Sequence, residues 1–208
     1  MISVLEQVHA PYFVQKVPLS DELMGRSRLE VFRALCEGRR VLHVGCVDWP
    51  ITDLTQSLHL QLDACCELDG FDIHAEAFEQ MQPHLKGRLY SRWDDVTAQD
   101  RPYDLVLVPE VLEHVPDVQG FLAQLDAVGA AQYVITVPDA YSCWRRHFDY
   151  RSSEQTMVEV VHPDHNCWYT PFTLSNVLRK YTPWQLEKMW FFNGISLLAV
   201  AGRREPAA

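Results

Sequence analysis

Residues 103–117 read YDLVLVPEVLEHVPD. The run LVLV at 105–108 is apolar throughout and is bounded by Asp104 and Pro109. A short run rich in Val and Leu, set between turn signals, reads as a strand buried on both faces. Three ionisable residues follow at once: Glu110, Glu113 and His114. In an open α/β sheet the ligand site lies just beyond the carboxyl ends of the strands. The stretch therefore sets two carboxylates and an imidazole where chemistry is expected.

Strand and helix patterns alternate outward from this point. On the N-terminal side, strands are expected at 41–44, 68–73 and 88–91, with helices at 51–60 and 75–81 between them. Ser20, Asp21 and Glu22 read as the cap of a first helix ending near Gly38. Residues 1–19, with Pro11 and Pro18, read as an extended arm, so that 1–38 form an arm and a helix ahead of the sheet. On the C-terminal side, a helix is expected over 118–128, a strand over 133–137 and a helix over 172–181. Two last strands, 184–192 and 195–201, meet at Asn193-Gly194, a hairpin turn signal. Residues 139–171 read as a long irregular insertion rich in aromatics and histidines, a candidate lid. Five alternating strands predict a doubly wound, mostly parallel α/β sheet. The terminal hairpin brings the count to seven and reverses one strand. A single domain is expected over 1–208.

Composition narrows the function. A chain of 208 residues can bury one sizeable core. Its formal net charge is −10, and its arginines adjoin only in pairs: Arg39-Arg40, Arg145-Arg146 and Arg203-Arg204. An acidic surface repels phosphate backbones, so nucleic acid is not expected as a partner, whereas a cationic cofactor meets no such opposition. No apolar stretch reaches the roughly 20 residues of a membrane span. The opening MISVLEQVHAPYF lacks the basic region and apolar core of a secretory signal. Cys36, Cys46, Cys65, Cys66, Cys143 and Cys167 are scattered and read as reduced thiols of a cytoplasmic protein.

Three further stretches matter for a ligand. VLHVGCVDWP at 41–50 is a strand entering a turn at Gly45 and then a helix. Such a turn lets backbone approach a nucleotide, with helix-terminal N–H groups facing it, though an ordinary strand-to-helix turn reads the same way. GFDIHAEAF at 70–78 ends a strand on Asp72. A carboxylate there can accept both hydroxyls of a ribose, or cap the following helix. Asp94 and Asp95 follow Trp93 beyond the third strand, in what is otherwise a solvated turn.

In order and spacing, VLHVGC, FDIHAEAF, WDD and YDLVLVPEVLEHV resemble the class I S-adenosylmethionine-dependent methyltransferases over about 41–202. VLEHV, VPDAY and HPDHNCWYTPFTL are similar to the group that includes the ubiquinone-pathway O-methyltransferases. The resemblance implies a Rossmann-like sheet and S-adenosylmethionine as cofactor. It also implies a pocket lined by Gly45, Cys46, Asp72, Ile73, Asp94 and Glu110, with Asp94 at the adenine amino group. The family's turn carries three glycines. Here Val47 and Trp49 stand at two of those places, and His43 stands where an acidic residue is common.

Methyl transfer is an in-line displacement, so the protein must align the acceptor and exclude water. A hydroxyl acceptor also needs a base, and the expected acceptor is a small molecule or a glycan at a hydroxyl. His114 has the right ordinary pKa range, and His165 and His162 in the insertion are further candidates. Alternatively His114 braces a backbone carbonyl behind the pocket. Glu110, Glu113 and His114 at i, i+3 and i+4 would share one face of a helical turn and could hold a divalent ion. The same letters occur in metal-independent relatives, and no metal is assigned. His162, His165 and Cys167, with Cys143 distant, lack the paired spacing of structural zinc. Tyr12, Trp49, Tyr141, Trp144, Trp168 and Tyr169 either wall an acceptor pocket or pack the core. The second functional reading is a non-catalytic domain that keeps this fold for binding or scaffolding.

Overall fold

The computed structural model describes residues 14–51 and 53–203, without the side chains of Arg145 and Arg146. The arm over 1–13, and Tyr12 with it, lies outside the described residues. The first half of the chain forms β1 (Ser20–Leu23), α1 (Arg28–Cys36), β2 (Arg40–Val44), α2 (Leu58–Leu62), β3 (Glu67–Phe71), α3 (Phe78–Met81), β4 (Leu89–Tyr90) and α4 (Trp93–Thr97). The second half forms β5 (Leu105–Pro109), α5 (Val118–Val128), β6 (Gln132–Pro138), α6 (Ala140–His147), β7 (Phe148–Arg151), β8 (Thr156–Glu159), α7 (Pro171–Tyr181), β9 (Trp184–Phe192) and β10 (Ser196–Arg203).

Among the described residues, eight strands make one sheet in the order β1-β9-β10-β6-β5-β2-β3-β4. The strands β4, β3, β2, β5 and β6 run parallel, and β10 is reversed between β6 and β9. The expected strand at 105–108 is β5, and it is buried along its whole length. Its side chains alternate between two cores because successive residues of a strand point to opposite faces. Val106 and Val108 pack with Leu122 and Leu125 of α5 and Leu174 and Leu178 of α7. Leu105 and Leu107 pack with Val31 and Phe32 of α1 and Leu62 of α2. Helices on both faces are what make an apolar strand without alternation stable.

Parallel register lines up the strand ends. Val44 lies opposite Phe71, and Pro109 opposite Thr136. Gly45, Asp72 and Glu110 therefore leave the sheet along one edge. The terminal hairpin turns at Asn193 and Gly194, both at positive φ (45° and 82°), as a tight two-residue turn requires.

Four expectations need correction. The sheet has eight strands rather than seven, because Ser20, Asp21 and Glu22 do not cap a helix but lie in β1. That strand adds parallel to β9 and covers hydrogen-bonding groups that would otherwise form an open sheet edge. The helix expected at 51–60 breaks into a 3₁₀ turn, Leu54–Gln56, and the short α2. Asp53 and Ser57 each accept a backbone N–H inside that stretch, from Thr55 and Leu60, so two caps compete with one continuous helix. The insertion is not irregular throughout: 139–171 contains α6 and a hairpin of β7 with β8. Its strands are exposed for most of their length, so they carry no core pattern in sequence.

Candidate active site

Gly45 sits at φ 75°, and a Cβ added there would collide with the side chain of Val111. A glycine is thus needed both for the left-handed backbone and for the close approach of the loop after β5. The turn's amides do not face outward as expected. Gly45 N–H and Cys46 N–H donate to Phe71 O (2.9 and 3.4 Å), and Val47 N–H donates to Asp72 (2.8 Å). The helix expected to begin here starts only at Leu58, so its terminus does not serve the turn. Cys46 faces a small core with Ala77 and Met81, and burial pushes its thiol well up.

Asp72 is buried at the end of β3. One oxygen accepts from Val47 N–H and the other from His74 N–H (3.0 Å), so it clamps the glycine turn to the start of the next element. Burial raises its pKa while these donors lower it. Each oxygen retains a lone pair for a further donor. Ile73 beside it is 77% exposed, an apolar side chain left in the open at a strand end. Asp94 lies in the first turn of α4 with its carboxylate exposed, 3.6 Å from Arg92. Trp93 turns inward and stacks on Phe71, with ring centroids 3.8 Å apart.

Glu110 has φ 54°, an uncommon conformation for a residue other than glycine, and such strain gathers at functional sites. Its N–H donates to Thr136 O (3.0 Å). Burial pushes its carboxyl up, and one carboxylate oxygen has no partner among the described residues. Nearby stands a residue that sequence reasoning missed. Arg28, at the start of α1, lies close enough for its charge to oppose the upward shifts of Glu110 and Glu113. Its buried Nε also lacks a partner. Nothing local marks Arg28, because only the packing of α1 brings it to this edge.

The 3₁₀ turn Leu112–His114 follows. Because the helical turn is so short and Glu110 precedes it at positive φ, Glu110, Glu113 and His114 do not share one helical face. The structure instead brings Glu113, His114 and His165 together. Glu113 is 1% exposed, and among the described residues neither of its carboxylate oxygens has a hydrogen-bond partner. Burial, then the Glu110 charge, pushes its carboxyl up to about 8. The His114 and His165 rings lie 4.6 Å apart, and His162 stands 5.3 Å from His114. Burial lowers the pKa of both His114 and His165, and their histidine neighbours lower it further. Both imidazoles are therefore neutral near pH 7, the form that accepts a proton. Asn166 anchors this arrangement, donating from its N–H to Glu113 O (2.7 Å) and from Nδ2 to His114 O (2.6 Å).

The candidate aromatic wall divides. Tyr169 is buried in the core. Trp168 is half-buried against the His165 ring (5.9 Å), while Tyr141 and Trp144 on α6 are exposed. Trp49 stacks on His74 (5.6 Å) beside a cleft of about 440 Å³ that takes in Met81 but not Asp72, Asp94 or Glu110.

No protein-family model and no curated protein matches the sequence. Solved structures do match the fold. An S-adenosylmethionine dependent methyltransferase from Mesorhizobium loti superposes with a TM-score of 0.56 at 13% identity, over 84% of this chain and 96% of that one. Magnesium protoporphyrin IX methyltransferase from Synechocystis PCC 6803, with bound S-adenosylhomocysteine, gives 0.53 at 13% identity, over 85% and 82%. The N-methyltransferase NodS from Bradyrhizobium japonicum WM9, in complex with S-adenosylhomocysteine, gives 0.51 at 14% identity, over 86% and 85%. The chain thus has the Rossmann-like fold of S-adenosylmethionine-dependent methyltransferases: a mostly parallel sheet closed by an antiparallel hairpin.

Proposed function

We propose that this protein is an S-adenosylmethionine-dependent methyltransferase that acts on a small-molecule or glycan acceptor at a hydroxyl, in the manner of the ubiquinone-pathway O-methyltransferases. The observation that carries this reading is the set of groups at one sheet edge: Asp72 with spare lone pairs, exposed Ile73 and Asp94, and Glu110 and Arg28, half-buried and incompletely partnered among the described residues. Structural neighbours crystallised with S-adenosylhomocysteine add support from the fold.

The groups fit the cofactor by chemistry. Asp72 would accept the ribose hydroxyls, Ile73 would cover an adenine face and Asp94 would accept from the adenine amino group. Arg28 would take the carboxylate, and Glu110 the ammonium, of the methionine end. Bound there, the cofactor supplies an electrophilic methyl on a sulfonium. Neutral His114, or His165 beside it, would take the acceptor proton, and the insertion held by Asn166 would keep water from that edge. The inward-facing amides of Gly45, Cys46 and Val47 favour the second reading, a binding or scaffold domain of the same fold.

Calorimetry with S-adenosylmethionine separates the two. Binding is expected, weakened about tenfold or more by Asp94→Ala, which removes an exposed acceptor without touching the core. Absence of binding at millimolar ligand would discard the enzyme reading. Equal affinity in the variant would discard the adenine contact alone.

A further inference from the structure

The insertion carries apolar surface that neither the core nor the cofactor edge uses. Trp144 is 59% exposed, Tyr150 63% and Met157 47%. Exposed apolar side chains scattered singly are ordinary, but these are joined through ring contacts. The Trp144 ring stacks on half-buried Phe148 (5.3 Å). Phe148 in turn meets Trp168 (5.0 Å), and Trp168 meets His165 (5.9 Å), whose ring lies against His114. A chain of rings thus runs from His114 to the outer surface of α6.

The β7–β8 hairpin extends this surface. Paired residues of antiparallel strands share a face, as do residues two apart on one strand. Phe148 pairs with Glu159 and Tyr150 with Met157, so these four lie on one face. The face is apolar outward from Phe148, and at its inner end the Trp168 indole N–H donates to Glu159. Asp149 and Arg151 lie on the opposite face. Each ring-to-ring step is about the length of one sugar unit. The contacts between the rings hold them in place, so little side-chain freedom is lost when a ligand stacks on them.

We propose that this aromatic face binds a neutral oligosaccharide, one of whose hydroxyls is the methyl acceptor. The inference rests on the methyltransferase reading for the reaction and narrows its acceptor to a glycan. A sugar presents a C–H face that stacks on an aromatic ring, and hydroxyls at its rim that donate to carboxylates. The rings supply the first contact. Glu159, with a second oxygen beyond the one that Trp168 uses, and exposed Asp164 beside His162 (3.8 Å) supply the other. Residues 139–171 hold five acidic residues, three arginines and no lysine, which disfavours uronic acids, phosphorylated sugars and nucleic acid on the same rings. An aliphatic chain laid on so open a surface would keep one side in water. At the inner end, the acceptor hydroxyl gives its proton to the neutral His114 imidazole. Its oxygen bonds the methyl carbon as the carbon–sulfur bond breaks, and that electron pair stays on sulfur. The products are a methyl ether and S-adenosylhomocysteine.

The test uses the full chain without S-adenosylmethionine, so a failure of cofactor binding leaves its outcome intact. Cellotetraose, mannotetraose and chitotetraose are the probes, read by saturation-transfer NMR and tryptophan fluorescence. At least one is expected to bind, more tightly than its monosaccharide and with its ring C–H protons in closest contact. Trp144→Ala and Tyr150→Ala, both at exposed positions, should each weaken that binding by about tenfold or more with circular dichroism unchanged. Trp144→Phe should restore most of it. Tetragalacturonate should bind less tightly than the neutral probe. No binding of any neutral tetrasaccharide, affinity unchanged in both alanine variants, or tighter binding of tetragalacturonate would each overturn the proposal. So would retention on phosphatidylcholine vesicles that is lost in Trp144→Ala, since the face would then serve lipid.

Discussion

His43 lies in β2, next to its last residue, and is buried with its Nδ1 3.1 Å from Nδ1 of buried His59. One ring must donate and the other accept, so at least one ring must be neutral, and burial disfavours charging either. Burial lowers the pKa of His59 to about 4. Burial, then the charges of His59 and Arg28, lowers that of His43. Unfolded histidine titrates near about 6.5. Between those values the unfolded chain binds more protons than the folded one, so this pair's stabilisation is complete above the unfolded pKa and is lost as pH falls. The unfolding free energy in urea is expected to drop below about pH 6.5, and His59→Asn should make that slope shallower. Buried Asp72, Glu110 and Glu113 have raised pKa values and act in the opposite sense, so the comparison with the variant is the informative one. An identical slope in the variant would exclude the pair. At this scale the sequence singled out Asp72, Glu110 and His114 from their places relative to strand ends, and His165 from its place in the long insertion. It did not single out Arg28 or Asn166, whose roles depend on neighbours far along the chain.

The elements were legible where burial imposes a period. α5 and α7 each present an apolar stripe, and β5 and β6 are apolar runs with sharp ends. α7 is also fixed by its start. Thr170 and Thr173 bond reciprocally as a capping box, with Pro171 in the first turn, where a missing N–H costs nothing. Thr170→Ala is expected to lower stability by about 1 kcal/mol, read as a shift in the urea midpoint with the m-value unchanged. A midpoint equal to wild type would mean that packing of Leu174 and Leu178 alone holds the helix. β1, β7 and β8 escaped a sequence reading because edge strands and exposed hairpins bury too little to impose an alternation. The broken helix after Gly45 escaped it because caps internal to a polar stretch resemble ordinary helix residues.

Across the whole molecule, the insertion meets the body of the fold at several places: Asp139 and Cys143 at Ile195, Tyr169 in the core, and Asn166 at the turn after β5. Asn166 ties 113 and 114 to the segment that carries His162 and His165, and Trp168 follows against the His165 ring. Asn166→Ala should leave the global unfolding midpoint within about 1 kcal/mol of wild type while raising hydrogen exchange over 140–168. Unchanged exchange there would show that aromatic packing, not Asn166, holds the insertion down. By itself the sequence determined the doubly wound sheet and the hairpin at its end, and it placed the proposed site at the strand ends, because apolar periodicity and turn residues are local signals. Only the tertiary structure decided that the amides of the Gly45 turn face inward and that Glu113 meets two histidines instead of Glu110. Those outcomes depend on which distant backbone groups and side chains come within hydrogen-bonding or ligand distance, and no local pattern encodes that.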